Sequence, residues 1–192
     1  PHQAWHAAPA RRYGDYIILL SRFPIVASSL IDEETQPAIA ATLDVLSSAA
    51  DGGHADLLVW PEAATPRPAL LDPDTLAWTD SVRERSGADF LFGTLDGDPE
   101  ADYNAAVLLS ADRAPKVYRK QHLVPFGEYI PFRHSFPLFA WIVGDLVPGD
   151  FRPGKGPPVL DAPRSATRLG PLICFEDTLP DLARRTVLAG AE

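Results

Sequence analysis

A single cysteine occurs in the 192 residues, which excludes any disulfide within the chain. No run of 18 or more apolar residues is present, so no stretch reads as a membrane-spanning helix, and the start lacks the basic-then-apolar order of a signal peptide. Glycine-rich loops of the phosphate-cradling kind do not follow any strand, and the five histidines are not spaced with cysteine or carboxylates as ligands; neither a nucleotide cofactor nor a metal is expected. Basic charge is also scarce. A net charge of -9 and a pI near 4.9 argue against nucleic acid or anionic lipid held by bulk electrostatics. There is no internal repeat. What is abundant is apolar content, 46%, enough for one domain with a real core, and proline, with 20 residues that predict many loops and extended connections.

Residues 1–15 mix Pro, Ala, His and Arg without a period and read as a linker or tail. Residues 16–20 have strand length, and 23–27 continue past a break at Pro24. Asp32, Glu33 and Glu34 read as the acidic first turn of a helix that carries Ala38, Ile39, Leu43 and Leu46 and closes at Gly52-Gly53. The run Leu57-Leu58-Val59-Trp60 fits a strand buried on both faces, with Glu62 just beyond it. A helix is expected over 70–85, strands over 90–93, 104–109 and 117–120, and a turn at Asp96-Gly97-Asp98-Pro99. The broken apolar segment 136–147 reads as a covering loop or an interfacial arm, and 148–164 as irregular connection with a short strand at Val159-Leu160. Leu172-Ile173-Cys174 reads as a strand end, followed by a helix over 181–189. The order is that of an α/β domain spanning 16–192, with helices over a largely buried sheet. The closing residues read as a helix after which a further strand would normally follow, so the chain is expected to be a partial copy of its domain.

Three side chains stand out for chemistry. Acyl transfer by a thiol needs a base, a cation or donor for the oxyanion, and a tight turn at the nucleophile. Cys174 lies directly before Phe175, Glu176 and Asp177; a buried core thiol is the other reading of such a position. Glu62 follows a buried strand and Pro61, where a carboxylate can sit in a partly apolar pocket as a working base, or can simply cap or face solvent. Lys120 is one of only three lysines in a chain that otherwise uses arginine, and its compact ammonium suits a small anion in a confined site; a solvated strand-end charge is its alternative.

The stretches Leu57 through Glu62, Tyr118-Arg119-Lys120-Gln121-His122-Leu123 and Leu172 through Glu176 resemble, in order and separation, the Glu, Lys and Cys signatures of the nitrilase (carbon-nitrogen hydrolase) superfamily. Within that superfamily, His122-Leu123-Val124-Pro125-Phe126-Gly127-Glu128-Tyr129-Ile130-Pro131 and Trp60-Pro61-Glu62-Ala63-Ala64-Thr65-Pro66 are similar to the apolipoprotein N-acyltransferase branch. The resemblance implies a nitrilase-like α-β-β-α sandwich, lacking here its C-terminal strands. It also implies Cys174 as nucleophile, Glu62 as general base and Lys120 as oxyanion stabiliser, with Glu128 and Glu176 as supporting carboxylates and the N–H of Phe175 as second oxyanion donor. The reaction it implies carries a fatty acyl chain from phospholipid, through a Cys174 thioester, to the N-terminal amine of a diacylglyceryl-cysteine lipoprotein. It needs no cofactor, and it runs at the bacterial inner membrane on the periplasmic or outer side, where flanking helices outside this stretch would hold the domain. Phe136, Phe139, Trp141 and Ile142 then fall where the family carries lipid-admitting arms. His122 is expected to orient its loop by hydrogen bonding. A soluble amidase that hydrolyses a small amide or nitrile would use the same Glu, Lys and Cys with water as acceptor.

Overall fold

The computed structural model describes residues 16–18, 36–48, 55–111, 113–125, 127–129, 131, 151–155 and 159–192. Its backbone runs β1 (Tyr16–Ile18), α1 (Gln36–Ser47), β2 (Leu57–Val59), α2 (Pro73–Ser86), β3 (Asp89–Asp98), β4 (Ala101–Ser110), β5 (Arg113–Arg119), β6 (Leu160–Ala162), β7 (Thr167–Leu169), a 3-10 turn (Cys174–Thr178) and α3 (Pro180–Leu188). The main sheet has the order β1-β2-β3-β4-β5, parallel between β1, β2 and β3 and antiparallel from there on.

Because successive strand residues point to opposite faces, the apolar runs supply two cores. Leu58, Phe90, Phe92, Val107 and Leu109 face α1 and α2, where they meet Leu43, Trp60 and Val82. Trp60 packs edge-on against Phe90, and its indole N–H donates to Ser47 Oγ of α1 at 2.8 Å. On the opposite face Leu57, Ala106, Leu108 and Tyr118 pack against Leu160 and Ala162 of the β6–β7 hairpin and against Ile173. Beyond that hairpin lies α3, laced to β7 by Arg168, which donates to Ala189 O, and by the Glu192 N–H on Arg168 O. Gly170 allows this approach, since a Cβ there would come within 2.1 Å of Thr186 on α3. The layers are helix, sheet, hairpin and helix, as expected, with a second sheet of two described strands.

Several boundaries differ from those read in the sequence. Asp96, Gly97 and Asp98 belong to β3, and the reversal falls at Pro99-Glu100, where Asp98 Oδ1 accepts the N–H groups of Glu100 and Ala101. The helix expected from residue 70 begins at Pro73, because Leu71 and Asp72 first turn back onto the Pro68 carbonyl and Asp72 then caps α2 through Thr75 N. Its buried positions are Thr75, Thr79, Val82 and Ser86, so small polar side chains form the packing face in place of an apolar stripe. Residues 172–173 lie in no described strand. Helix α1 has no acidic residue in its first turn; Asp32–Glu34, the segment 23–27 and the tail 1–15 fall outside the described residues.

Phe90 is fully buried between the sheet and α2, whereas Val187 is 64% exposed. Phe90→Ala is expected to lower the unfolding free energy by about 3–5 kcal/mol in urea titration. Val187→Ala is expected to change it by less than about 0.5 kcal/mol.

Candidate active site

Glu62 is placed by the backbone before any side-chain contact is made. The chain leaving β2 stays beside β3: Trp60 N donates to Leu91 O, Gly93 N to Pro61 O and Ala64 N to Gly93 O, all at 2.9–3.1 Å. Ala63 completes the bend with a positive φ of 47°. Gly93 is required here, because a Cβ would stand 2.5 Å from Glu62 Cα and from Pro61 O, against backbone that cannot yield.

Lys120 follows β5 directly. Its N–H donates to Asn104 O at 2.8 Å and its carbonyl accepts from Gly154 N at 2.8 Å, so both neighbouring segments fix its position. The side chain is only 1% exposed, which demands anionic company. It finds two carboxylates: Glu128 Oε1 at 2.9 Å and Glu62 Oε1 at 3.8 Å. Glu128 is held in turn by Val124 N, which donates to its Oε2 at 2.8 Å. Asn104 joins the two glutamates, its Nδ2 donating to Glu62 Oε1 at 2.6 Å and to Glu128 Oε1 at 2.9 Å.

Cys174 opens the 3-10 turn with φ 53°, a left-handed conformation that a side chain with Cβ adopts only under constraint. That conformation leaves the thiol exposed, not buried in the core. Packing around the sulfur is the largest influence on it and pushes its pKa up, and the carboxylate of Glu62 acts in the same direction. The Lys120 ammonium and the Phe175 backbone N–H act the opposite way. Glu176 is fully buried and accepts from Tyr118 Oη, Gln121 N, His122 N and Ile173 N at 2.8–3.0 Å. One carboxylate thus ties the end of β5, the loop after Lys120 and the residue before Cys174 together. Burial and the Glu176 charge raise the Tyr118 pKa far above its ordinary value, so its hydroxyl stays a donor.

Of the expected residues, Glu62, Lys120 and Glu128 are joined directly, and Glu176 bonds both the loop after Lys120 and the residue before Cys174 and Phe175. His122 orients its loop through its backbone N–H; its ring is exposed, with Nδ1 3.9 Å from Glu176. Phe136, Phe139, Trp141 and Ile142 fall outside the described residues. Asn104, Tyr118 and Gly93 were not singled out in the sequence. Asn104 is a lone amide opening the apolar run Ala105 through Leu109, and that was its only signal. Among the described residues, no group of three metal-ligating side chains occurs.

Residues 26–192 match the carbon-nitrogen hydrolase family. The chain is 34% identical over 170 residues to the apolipoprotein N-acyltransferase of Geobacter metallireducens, covering 83% of this chain and 31% of that protein. It is 32% identical to the apolipoprotein N-acyltransferase of Bdellovibrio bacteriovorus, over 71% of this chain and 27% of that protein. The chain thus spans roughly a third of the length of these relatives. Among solved structures, a variant of the amidase of Nesterenkonia from the nitrilase superfamily superimposes with a TM-score of 0.59 at 18% identity, over 82% of this chain and 57% of that one. A CN-hydrolase superfamily protein of Xanthomonas campestris gives 0.56 at 18%, over 76% and 50%.

Alkylation of Cys174 by iodoacetamide, followed against pH, is expected to show a midpoint above the ordinary thiol value of about 8.5. Glu62→Gln lowers that midpoint by removing a negative charge, and Lys120→Met raises it by removing a positive one. Glu176→Ala leaves four donors without their acceptor and is expected to cost about 3–5 kcal/mol in chemical denaturation, against about 1–2 kcal/mol for Tyr118→Phe.

Proposed function

Since the chain belongs to the carbon-nitrogen hydrolase family, we propose that it is the catalytic portion of an apolipoprotein N-acyltransferase, with Cys174, Glu62 and Lys120 as the reacting and stabilising groups. The observation that carries this reading is the Lys120 ammonium, buried between Glu62 and Glu128 and acting on the Cys174 thiol. The identity of about a third to named apolipoprotein N-acyltransferases favours acyl transfer over amide hydrolysis.

In the first half-reaction the Glu62 carboxylate takes the thiol proton, and the sulfur attacks the ester carbonyl of a phospholipid. The oxyanion that forms is met by Lys120 Nζ and the Phe175 N–H. Collapse breaks the C–O bond, and Glu62 returns its proton to the departing lysophospholipid alkoxide, leaving an acyl thioester on Cys174. In the second half-reaction the free α-amine of a diacylglyceryl-cysteine lipoprotein attacks the thioester. The same donors hold the new oxyanion, the amine gives a proton to Glu62, and the thiolate leaves and is reprotonated as the amide is released. Glu128 holds the ammonium in place while Glu62 changes its protonation state, and Glu176 fixes the nucleophile turn. The substrates place the reaction at a bacterial membrane surface, and no helix among the described residues is long and apolar enough to span one. Phe136, Phe139, Trp141 and Ile142 are assigned to lipid contact, as their residue types suit an interface.

The whole gene product, incubated with phospholipid vesicles, is expected to gain one fatty acyl mass on Cys174 by peptide mass spectrometry. The adduct is lost in Cys174→Ala and fails to form in Glu62→Gln. It is discharged by a diacylglyceryl peptide with a free amine. Adduct formation at an unchanged rate in Glu62→Gln contradicts the assigned base; discharge to water in preference to the amine favours a hydrolase.

A further inference from the structure

Two carboxylates and one ammonium leave an excess negative charge in a largely closed site, and Asn104 is the neutral group placed among them. Its single amide nitrogen carries two hydrogens and lies 2.6 Å from Glu62 Oε1 and 2.9 Å from Glu128 Oε1. The residue is 6% exposed, and its carbonyl oxygen Oδ1 is buried without a hydrogen-bond partner among the described residues. A buried orphan acceptor is uncommon and calls for a reason. Turning the amide over would aim Oδ1 at both carboxylates, so the amide is oriented by its NH2 end at the expense of its oxygen. Glu128 has further donors in Lys120 Nζ and Val124 N, whereas the described partners of Glu62 are Asn104 at 2.6 Å and Lys120 at 3.8 Å. Glu62 therefore relies on Asn104 more heavily than Glu128 does.

We propose that Asn104 is a positioning residue that holds Glu62 and Glu128 apart around one ammonium, each glutamate taking one of its N–H bonds. This rests on the reading of Glu62 as the base that receives the Cys174 proton. The charged groups around the amide, among the described residues, are Glu62 from the loop after β2, Lys120 from the end of β5 and Glu128 from the loop that follows. Without the amide, the base loses its one short hydrogen bond among the described residues and is displaced.

The test compares Asn104→Ala and the isosteric Asn104→Asp in the whole gene product. Both are expected to lower kcat/KM for acyl transfer about a hundredfold, the order of loss from misplacing a reacting group. The loss falls in kcat, with KM within threefold. A second readout needs no activity. Hydrogen bonds to carboxylates are stronger than those to neutral amides. The Tm loss caused by Asn104→Ala is therefore larger in the wild-type background than in the Glu62→Gln, Glu128→Gln background. An equal Tm loss in both backgrounds assigns Asn104 to packing and overturns the proposal, as does wild-type kcat in Asn104→Asp. If wild-type protein transfers no acyl group while the Tm pattern holds, the functional reading fails and the role of Asn104 stands.

Discussion

A lysine ammonium withdrawn from water must be answered by carboxylates, and the arrangement around Lys120 follows from that requirement. At 1% exposure its charge is tolerable only because Glu128 lies in direct contact and Glu62 close by. To bring those groups together the chain joins segments distant in sequence: the bend after β2, the end of β5, and the loop that carries Glu128. Gly93 lets the first approach the sheet closely, and Gly154 presses on the second, where a Cβ would lie 2.3 Å from Arg119 O. Arg119 adds a clamp of its own, bonded to Asp96 and Asp98 and stacked over the Tyr103 ring at 3.8 Å.

Two buried carboxylates divide the mechanical and chemical work. Glu176 has all its described bonds to Tyr118 and to backbone N–H groups, so it secures the turn on which Cys174 stands without taking part in charge exchange. Glu62 is less enclosed, at 18% side-chain exposure, and is close enough to raise the thiol pKa. The first is what a scaffold requires and the second what a proton acceptor requires. The strained φ of Cys174 belongs with the scaffold: four bonds to one carboxylate over-determine a turn that the residue would not adopt alone.

The main elements were legible because their signals are local. Leu57 through Trp60 and Ala105 through Leu109 are continuous apolar runs with one structural meaning, whereas the Asp72 cap that starts α2 at Pro73 was not read from the sequence. Cys174, Glu62 and Lys120 were legible as a set through the resemblance of the three stretches that carry them to the nitrilase superfamily, since each residue alone had an ordinary structural reading. Asn104, Tyr118 and Gly93 were not, because their roles exist only across strands. The register that sets Leu95 against Asn104, and Ala105 against Arg119, is what carries the amide to Glu62 and the lysine. The strand expected at Leu172-Ile173 failed for the same reason, as Ile173 gives its N–H to the Glu176 side chain.

The central claim is spatial: a carbonyl attached to the Cys174 sulfur must lie where the Lys120 ammonium and the Phe175 N–H can both reach its oxygen. A crystal structure of the protein with Cys174 held as an acetyl thioester measures this directly. The adduct oxygen is expected within about 3.2 Å of Lys120 Nζ and of Phe175 N, the limit for such bonds. An adduct oxygen turned to solvent, with Lys120 bonded only to Glu62 and Glu128, would contradict the account.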